Sequence, residues 1–298
     1  MSAGEINNAN AASAFNGEAL TVTIIGVGLI GGSMAIILKE KGFAKYIIGV
    51  EANKENAQKA LDLKIVDEVL PLYQAVIKAD IIVLAVPVSV CEQLLPQILD
   101  NVDKQVVIDT GSTKKGITDA VKNHPKRGRF VATHPMWGTE YSGPQAATRE
   151  AFAKKATVIC NVAESDKDAV QMAEDLYKAL DMYIVHMNAE DHDVHVAYVS
   201  HISHITSFAL ANTVLEKEKE EDAIFELASA GFESTVRLAK SNPAMWVPIF
   251  MQNRENVLDV LNEHISQLRK FKACLEKENT DYLKELIENA NKIRKIIK

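Results

Sequence analysis

The sequence predicts an α/β protein: a doubly wound, mainly parallel sheet followed by a C-terminal all-helical domain. Three observations predict it. A G-x-G-x-x-G lies between two apolar strand patterns near the N-terminus. Strand and helix patterns then alternate from Thr21 to about Met187, as a sheet covered on both faces requires. After about Asn188 the strand patterns stop and helical ones run to Lys298. The expected domains are therefore 21–187 and 188–298, preceded by a polar, small-residue segment, 1–20, expected to be disordered.

The glycines come first. The stretch from Thr21 to Glu51 reads TVTIIGVGLIGGSMAIILKEKGFAKYIIGVE. Gly26 permits a tight turn, Gly28 lets the backbone approach a pyrophosphate, and Gly31 lets the helix pack on the strand. Leu29 and Ile30 open that helix, where unpaired N–H groups and the positive dipole end suit phosphates. Glu51 closes the second strand and can accept hydrogen bonds from ribose hydroxyls. An acid there repels a 2′-phosphate, which favours NAD over NADP. Val86 and Pro87, at the end of the apolar stretch from Ile81, are further cofactor-side candidates. The unit reads as a Rossmann-type nucleotide-binding domain.

Expected strands are Val22–Ile25, Tyr46–Val50, one near Asp67–Val69, Ile81–Val86, Gln105–Asp109, Phe130–Thr133, Ala156–Cys160 and Tyr183–His186. Ile81–Val86 is apolar on both faces, as a central parallel strand should be. Helical patterns between them include Val88–Leu99 and Asp166–Leu180. In the second domain the expected helices are Asp191–Leu215, Ala223–Ala230, Thr235–Lys240, Ala244–Leu275 and Thr280–Ile297, with breaks at Gly231 and Asn242-Pro243. The charge runs Glu216–Glu221 and Lys292–Lys298 read as solvated.

Composition narrows the function classes. With 298 residues and 47% apolar content, two sizeable cores can form. A net charge of −7 gives no reason to expect nucleic acid or an anionic membrane as partner. No apolar run is long enough to span a bilayer, and the first residues lack the pattern of a signal peptide. Cys91, Cys160 and Cys274 are scattered and odd in number, which fits a reducing cytosol and small buried hydrophobes.

Four stretches carry candidate chemistry. Asp109-Thr110-Gly111-Ser112-Thr113-Lys114 follows an apolar strand; Ser112 is either a helix N-cap or a site residue at the strand's carboxyl end. His134 ends a strand and begins a Pro- and Gly-rich loop, so its imidazole is expected to be exposed and rigidly held. Histidine titrates near neutrality and can accept a proton from a substrate hydroxyl. His192-Asp193-Val194-His195 and Val199-Ser200-His201-Ile202-Ser203-His204 place His201 and His204 about 60° apart on one helix face. No acid flanks them on that face, so hydrogen bonding to an anion or to catalytic groups is preferred and no metal is expected. Arg237 follows in an apolar helical setting, where it either covers apolar surface or clamps a carboxylate.

At these residues the sequence resembles the prephenate and arogenate dehydrogenase family, over Thr21 to about Arg254. The markers are GVGLIGGS from Gly26, DTGSTK from Asp109, THPMWGTEYSG from Thr133, VSHISH from Val199 and GFESTVRLAKSNPAMW from Gly231. The resemblance implies a nucleotide-binding domain joined to a helical domain that forms an intertwined homodimer, with the site in the cleft between them. It implies that His134 is the catalytic acceptor for the substrate's ring hydroxyl and that Ser112 hydrogen-bonds both. It implies that Arg237 binds a substrate carboxylate, with His204 beside it and His201 as neighbour. Glu140 and Trp246 match residues that line or gate the pocket. Departures are Val194, where the family often has Arg, Thr113, where it often has Val, and Trp137, where it has a smaller residue. The implied activity is NAD-dependent oxidative decarboxylation of prephenate in the cytoplasm. The nearest alternative is arogenate on the same site. A hydroxyacid dehydrogenase with a helix-borne lysine has no place for the His134 and Ser112 motifs, and a silent NAD-binding protein has no need of them.

Overall fold

The computed structural model describes residues 20–219 and 225–296. Residues 1–19 of the expected N-terminal segment, and parts of the two charge runs, lie outside the described residues. By contacts the described chain falls into two compact units. The first runs to Asp193 and takes back Lys240–Gln252; the second comprises Val194–Ala239 and the chain from Asn253. No periodicity in the sequence signals that return.

The first unit is the α/β body the sequence predicts. Strand β1 (Leu20–Ile25) leads through the glycines into helix α1 (Leu29–Glu40), then β2 (Ala44–Val50), α2 (Lys54–Asp62), the two-residue β3 (Glu68–Val69) and α3 (Leu72–Lys78). There follow β4 (Ile81–Leu84), α4 (Val88–Asn101), β5 (Val106–Asp109), the short α5 (Lys115–Ala120) and β6 (Phe130–Pro135). The body closes with β7 (Ala156–Cys160), α6 (Lys167–Ala179) and β8 (Tyr183–Met187). The sheet order is β3-β2-β1-β4-β5-β6-β7-β8, parallel except where β6 meets β7. The chain leaves β1 to one side and returns to the other at β4, so the two strands flank the switch point where such sheets bind ligands.

Strand periodicity builds the core. Along β4, Ile81 and Val83 join the apolar cluster beneath α1 and α6, while Ile82 and Leu84 join the one beneath α4. Both faces are dry, so the strand carries no polar residue. The first and third glycines of the motif differ in kind from a mere flexible hinge. Gly26 has φ +90, and a Cβ there would lie 2.5 Å from the Ala85 carbonyl oxygen. A Cβ on Gly31 would lie 2.2 Å from the Gly26 carbonyl oxygen, so only glycine lets α1 sit this close to β1.

From Ala189 onward the chain departs from the expected helices. The expected helix Asp191–Leu215 is instead α7 (Ala189–Val196), one π-helical turn at Ala197–His201, and α8 (Ile202–Glu218). Among the described residues of the expected helix Ala223–Ala230, Phe225–Leu227 is a single 3-10 turn. Gly231 is no break: α9 (Ala230–Val236) runs through it, entered from Ser229 in extended backbone, and Arg237–Lys240 continues as a 3-10 turn. Glycine is tolerated there because it lies in the first turn, before the helix is closed by its own ladder. The expected helix Ala244–Leu275 is two, α10 (Pro243–Gln252) and α11 (Arg254–Glu276). Asn253 separates them: it is buried, its amide faces the His201 Nδ1 at 3.2 Å, and its Oδ1 accepts from Asn256 at 2.7 Å. Helix α12 (Thr280–Asn291) follows, with the Asn279 side chain capping its first turn.

Among the described residues no helix is long and apolar enough to cross a membrane. All three cysteines are free and buried, and burial pushes the Cys91 and Cys160 thiols up to about 12, so neither is a nucleophile at neutral pH.

Replacing Gly31 by Ala should cost about 1–3 kcal/mol, because the methyl meets backbone that cannot yield. Thermal melting checks the loss, and dinucleotide affinity should fall with it. An unchanged melt would mean that α1 and β1 can separate without penalty.

Candidate active site

The glycine turn prepares a phosphate site. Gly28 precedes α1 in extended backbone with no side-chain cap, and the first turn holds no acid. A Cβ on Gly28 would meet nothing within 4 Å, so the turn is open on that side. Leu29 and Ile30 begin the helix there, and their N–H groups belong to the positive dipole end. Glu51 is held by two backbone donors, Val27 N at 3.1 Å and Asn53 N at 3.0 Å. Its carboxylate is thus fixed beside the glycine turn with lone pairs left for ribose hydroxyls. Val86 touches the Gly26 position, and Pro87 caps α4. These residues fit a dinucleotide.

Two strands away, β5 and β6 end in a buried polar network. Asp109 and Lys114 form an ion pair in which neither side chain is exposed. Asp109 also accepts from Gly111 N at 2.8 Å and from Thr133 N at 3.0 Å. Lys114 Nζ donates in addition to the Thr133 carbonyl at 2.7 Å. Thr133 Oγ1 donates to the Asp109 carbonyl and lies 2.6 Å from the Tyr177 hydroxyl. Breaking such a pair leaves an uncompensated buried charge, which costs about 3–5 kcal/mol.

His134 follows Thr133. It is buried, not exposed as its loop-edge position suggests, with 9% of its surface accessible. The reason is His192, a residue given no role of its own by the sequence. Its ring packs edge-on against His134 with centroids 5.1 Å apart, and its Nε2 lies 2.9 Å from His134 Nδ1. Asp193 Oδ1 lies 2.8 Å from His192 Nδ1. The hydrogen-bond pattern assigns the tautomers. The Asp193 carboxylate takes the Nδ1 proton of His192, whose Nε2 then accepts from His134 Nδ1–H. His134 Nε2 is thereby the basic nitrogen. Burial holds His192 below the usual histidine value; the Asp193 hydrogen bond opposes this, and the Lys114 charge adds to it. His192 is therefore a neutral acceptor at pH 7.

Asp193 also excludes the N-cap reading of Ser112. Its two oxygens accept from Lys114 N at 2.7 Å and Lys115 N at 2.9 Å, capping α5 from a distant part of the chain. Ser112 is not that helix's cap, and its hydroxyl is available for a site role. Thr113, beside it, donates to the Gln252 side chain, which ties α10 to this unit. Trp246 on α10 is nearly buried in the apolar cluster beneath α4, its ring 5.3 Å from Phe250. Glu140 sits half-buried on the loop after β6.

In the helical unit, His201 is fully buried at the end of the π turn, against Asn253. His204, one turn on, is half-buried, and its Nδ1 lies 3.1 Å from the Ser200 carbonyl. Burial lowers its pKa; the Ser200 bond works against this and the Arg237 charge with it. Arg237 is exposed at the start of its 3-10 turn. Among the described residues no group of three His, Cys, Asp or Glu side chains is placed to hold a metal. The adjacent His-Asp pair at the start of a helix was the one signal that could have marked His192 and Asp193. Spacing alone could not show that they meet His134, 58 residues earlier.

Comparison with known proteins adds the following. Residues 34–186 match the family "Prephenate dehydrogenase, nucleotide-binding domain", and residues 188–289 match "Prephenate dehydrogenase, dimerization domain". A prephenate dehydrogenase of Bacillus subtilis is 31% identical over 278 residues, 92% of this chain and 75% of that protein. The crystal structure of prephenate dehydrogenase from A. aeolicus in complex with hydroxyphenyl propionate and NAD+ is 29% identical, with TM-score 0.84. It covers 94% of this chain and 99% of that one. The crystal structure of Synechocystis arogenate dehydrogenase is 26% identical, with TM-score 0.73, over 92% and 99% of the two chains.

Because His192 is neutral when folded and titrates near 6.5 when unfolded, the unfolded chain binds the extra proton first as pH falls. The contribution is complete above about pH 6.5 and is lost below it. The melting temperature should therefore drop between pH 7.5 and pH 5.5, about those limits being set by the same histidine value. A His192→Gln protein should show a shallower drop; equal slopes would assign the effect to other groups.

Proposed function

The chain belongs to the prephenate dehydrogenase family, and within it we propose the NAD-dependent oxidative decarboxylation of prephenate to 4-hydroxyphenylpyruvate and CO2. The observation that carries this reading is the Asp193–His192–His134 chain, which presents a basic imidazole nitrogen at the carboxyl end of β6. NAD, when bound at the glycine turn, supplies the hydride acceptor.

His134 Nε2 accepts the proton of the substrate's ring hydroxyl as that ring carbon gives up its hydride. The opposite ring carboxylate leaves as CO2, its electron pair makes the ring aromatic and passes to the ring oxygen, and that oxygen takes the proton back from His134. The charge that appears on His134 is stabilised through Nδ1–H by the His192 lone pair, with the Asp193 carboxylate behind it. Ser112 hydrogen-bonds the hydroxyl and so holds it for transfer. Arg237 clamps a substrate carboxylate, and His204, kept neutral by burial and oriented by the Ser200 carbonyl, acts beside it. Glu140 and Trp246 shape the pocket. His201, buried against Asn253, supports that region without exposing its ring. The protein acts in the cytoplasm as a homodimer through its helical domain.

Arogenate is the second reading, supported by the likeness to the Synechocystis arogenate dehydrogenase. NADH formation from prephenate and arogenate in parallel tests both. A larger kcat/KM on prephenate is expected, and the reverse would transfer the assignment to arogenate. A His134→Asn protein should lose turnover by about a hundred- to ten-thousand-fold, with substrate binding little changed. Turnover near that of the wild type would sink the assignment of the base.

A further inference from the structure

Lys114 is tied to the proposed base by two separate routes. Its ammonium bonds the Thr133 carbonyl, the peptide group immediately before His134, and is neutralised there by Asp109. Its backbone N–H bonds the same Asp193 oxygen that orients His192. One route fixes the main chain of the imidazole, and the other fixes the ring that selects its tautomer. The side chain has no exposure, so it has no surface to offer a substrate or a cofactor.

We propose that Lys114 is the positioning residue of the proton-accepting site, holding the β6 end through its ammonium and the His192–Asp193 pair through its backbone. This rests on the reading of His134 as the base. A lysine suits the task because its compact ammonium can be shared between a carboxylate and a carbonyl. The titratable and charged groups joined to His134 in this way are His192 and Asp193 from α7, Asp109 and Lys114 from β5 and its loop, and Tyr177 from α6.

Lys114→Met alone strands a buried carboxylate and threatens the fold. The decisive variant is therefore Asp109→Asn with Lys114→Met, which removes both charges at nearly constant volume. Full-length protein is assayed for kcat and both KM values per folded molecule. The His134 ring is also titrated by NMR without substrate. The double variant should lose about tenfold to a hundredfold in kcat, as a base displaced by a fraction of an ångström to one ångström does. Its KM for NAD should stay within about twofold, since the glycine turn is untouched. The ring midpoint of His134 should move.

A kcat within about twofold of the wild type and an unmoved midpoint would assign Lys114 to stability alone and overturn the proposal. If the double variant does not fold, Asp193→Asn is compared with His192→Gln: both remove the His192–Asp193 bond, and only the first also alters the acceptor of the Lys114 and Lys115 backbone. A lower kcat in Asp193→Asn with an unchanged KM for NAD is expected, and equal kcat values in the two would overturn the proposal. Should the wild type make NADH from neither substrate, the functional reading falls. The ring titration then still decides whether Lys114 positions His134.

Discussion

Asp109 is a carboxylate with no exposure, and the end of the sheet is arranged to satisfy it. A buried charge must be paired and hydrogen-bonded or it shifts the balance against folding. Here the ammonium of Lys114 and the N–H groups of Gly111 and Thr133 do both. Each of those donors belongs to the loop after β5 or to the end of β6. Satisfying one carboxylate therefore fixes two strand ends against each other. The turn at Gly111 has no room for a side chain, because a Cβ would lie 2.8 Å from an Asp109 oxygen.

From that clamp the chemistry follows with little further freedom. His134 follows a residue, Thr133, held on both sides, at its N–H by Asp109 and at its carbonyl by Lys114. Its ring is set by His192, and His192 by Asp193, whose carboxylate also closes the N-terminus of α5. One acid thus serves a helix cap and a histidine tautomer together. Two strands away, at the same carboxyl edge of the sheet, the glycine turn works by absence: Gly26 and Gly31 remove side chains so that backbone can approach backbone. The two devices are opposite in kind, one built from bonds and one from space, and both depend on the parallel strands being in register.

How much of this was legible differs residue by residue. The strands were readable because parallel strands buried on two faces leave runs such as Ile81-Ile82-Val83-Leu84, with no polar interruption. Gly26 and Gly31 were readable because only glycine tolerates the approach distances at those two positions. His134 was readable as a candidate from its place at a strand end, but its burial was not, because the ring that covers it comes from beyond β8. The break at Asn253 is not legible in the sequence because asparagine there is committed to lateral bonds with His201 and Asn256, a tertiary reason with no local signature. Gly231 differs in the opposite sense: a residue that often ends helices sits harmlessly in the first turn of one.

Sequence by itself determined the order of elements, the nucleotide-binding turn and the residue types available for chemistry. These follow from periods of two and 3.6 residues and from the steric demands of glycine, which act over a few neighbours. Only the tertiary structure decided which polar groups meet. The Lys114–Asp109 pair, the Asp193 cap on α5 and the His192 partner of His134 are such meetings. So is the docking of α10 on the first unit through Gln252 and Trp246. Apart from the Lys114–Asp109 pair, whose members are neighbours along the chain, each joins residues brought together by the fold and not by chain spacing. A buried polar group needs a partner wherever the fold places one, and local pattern holds no record of where that is.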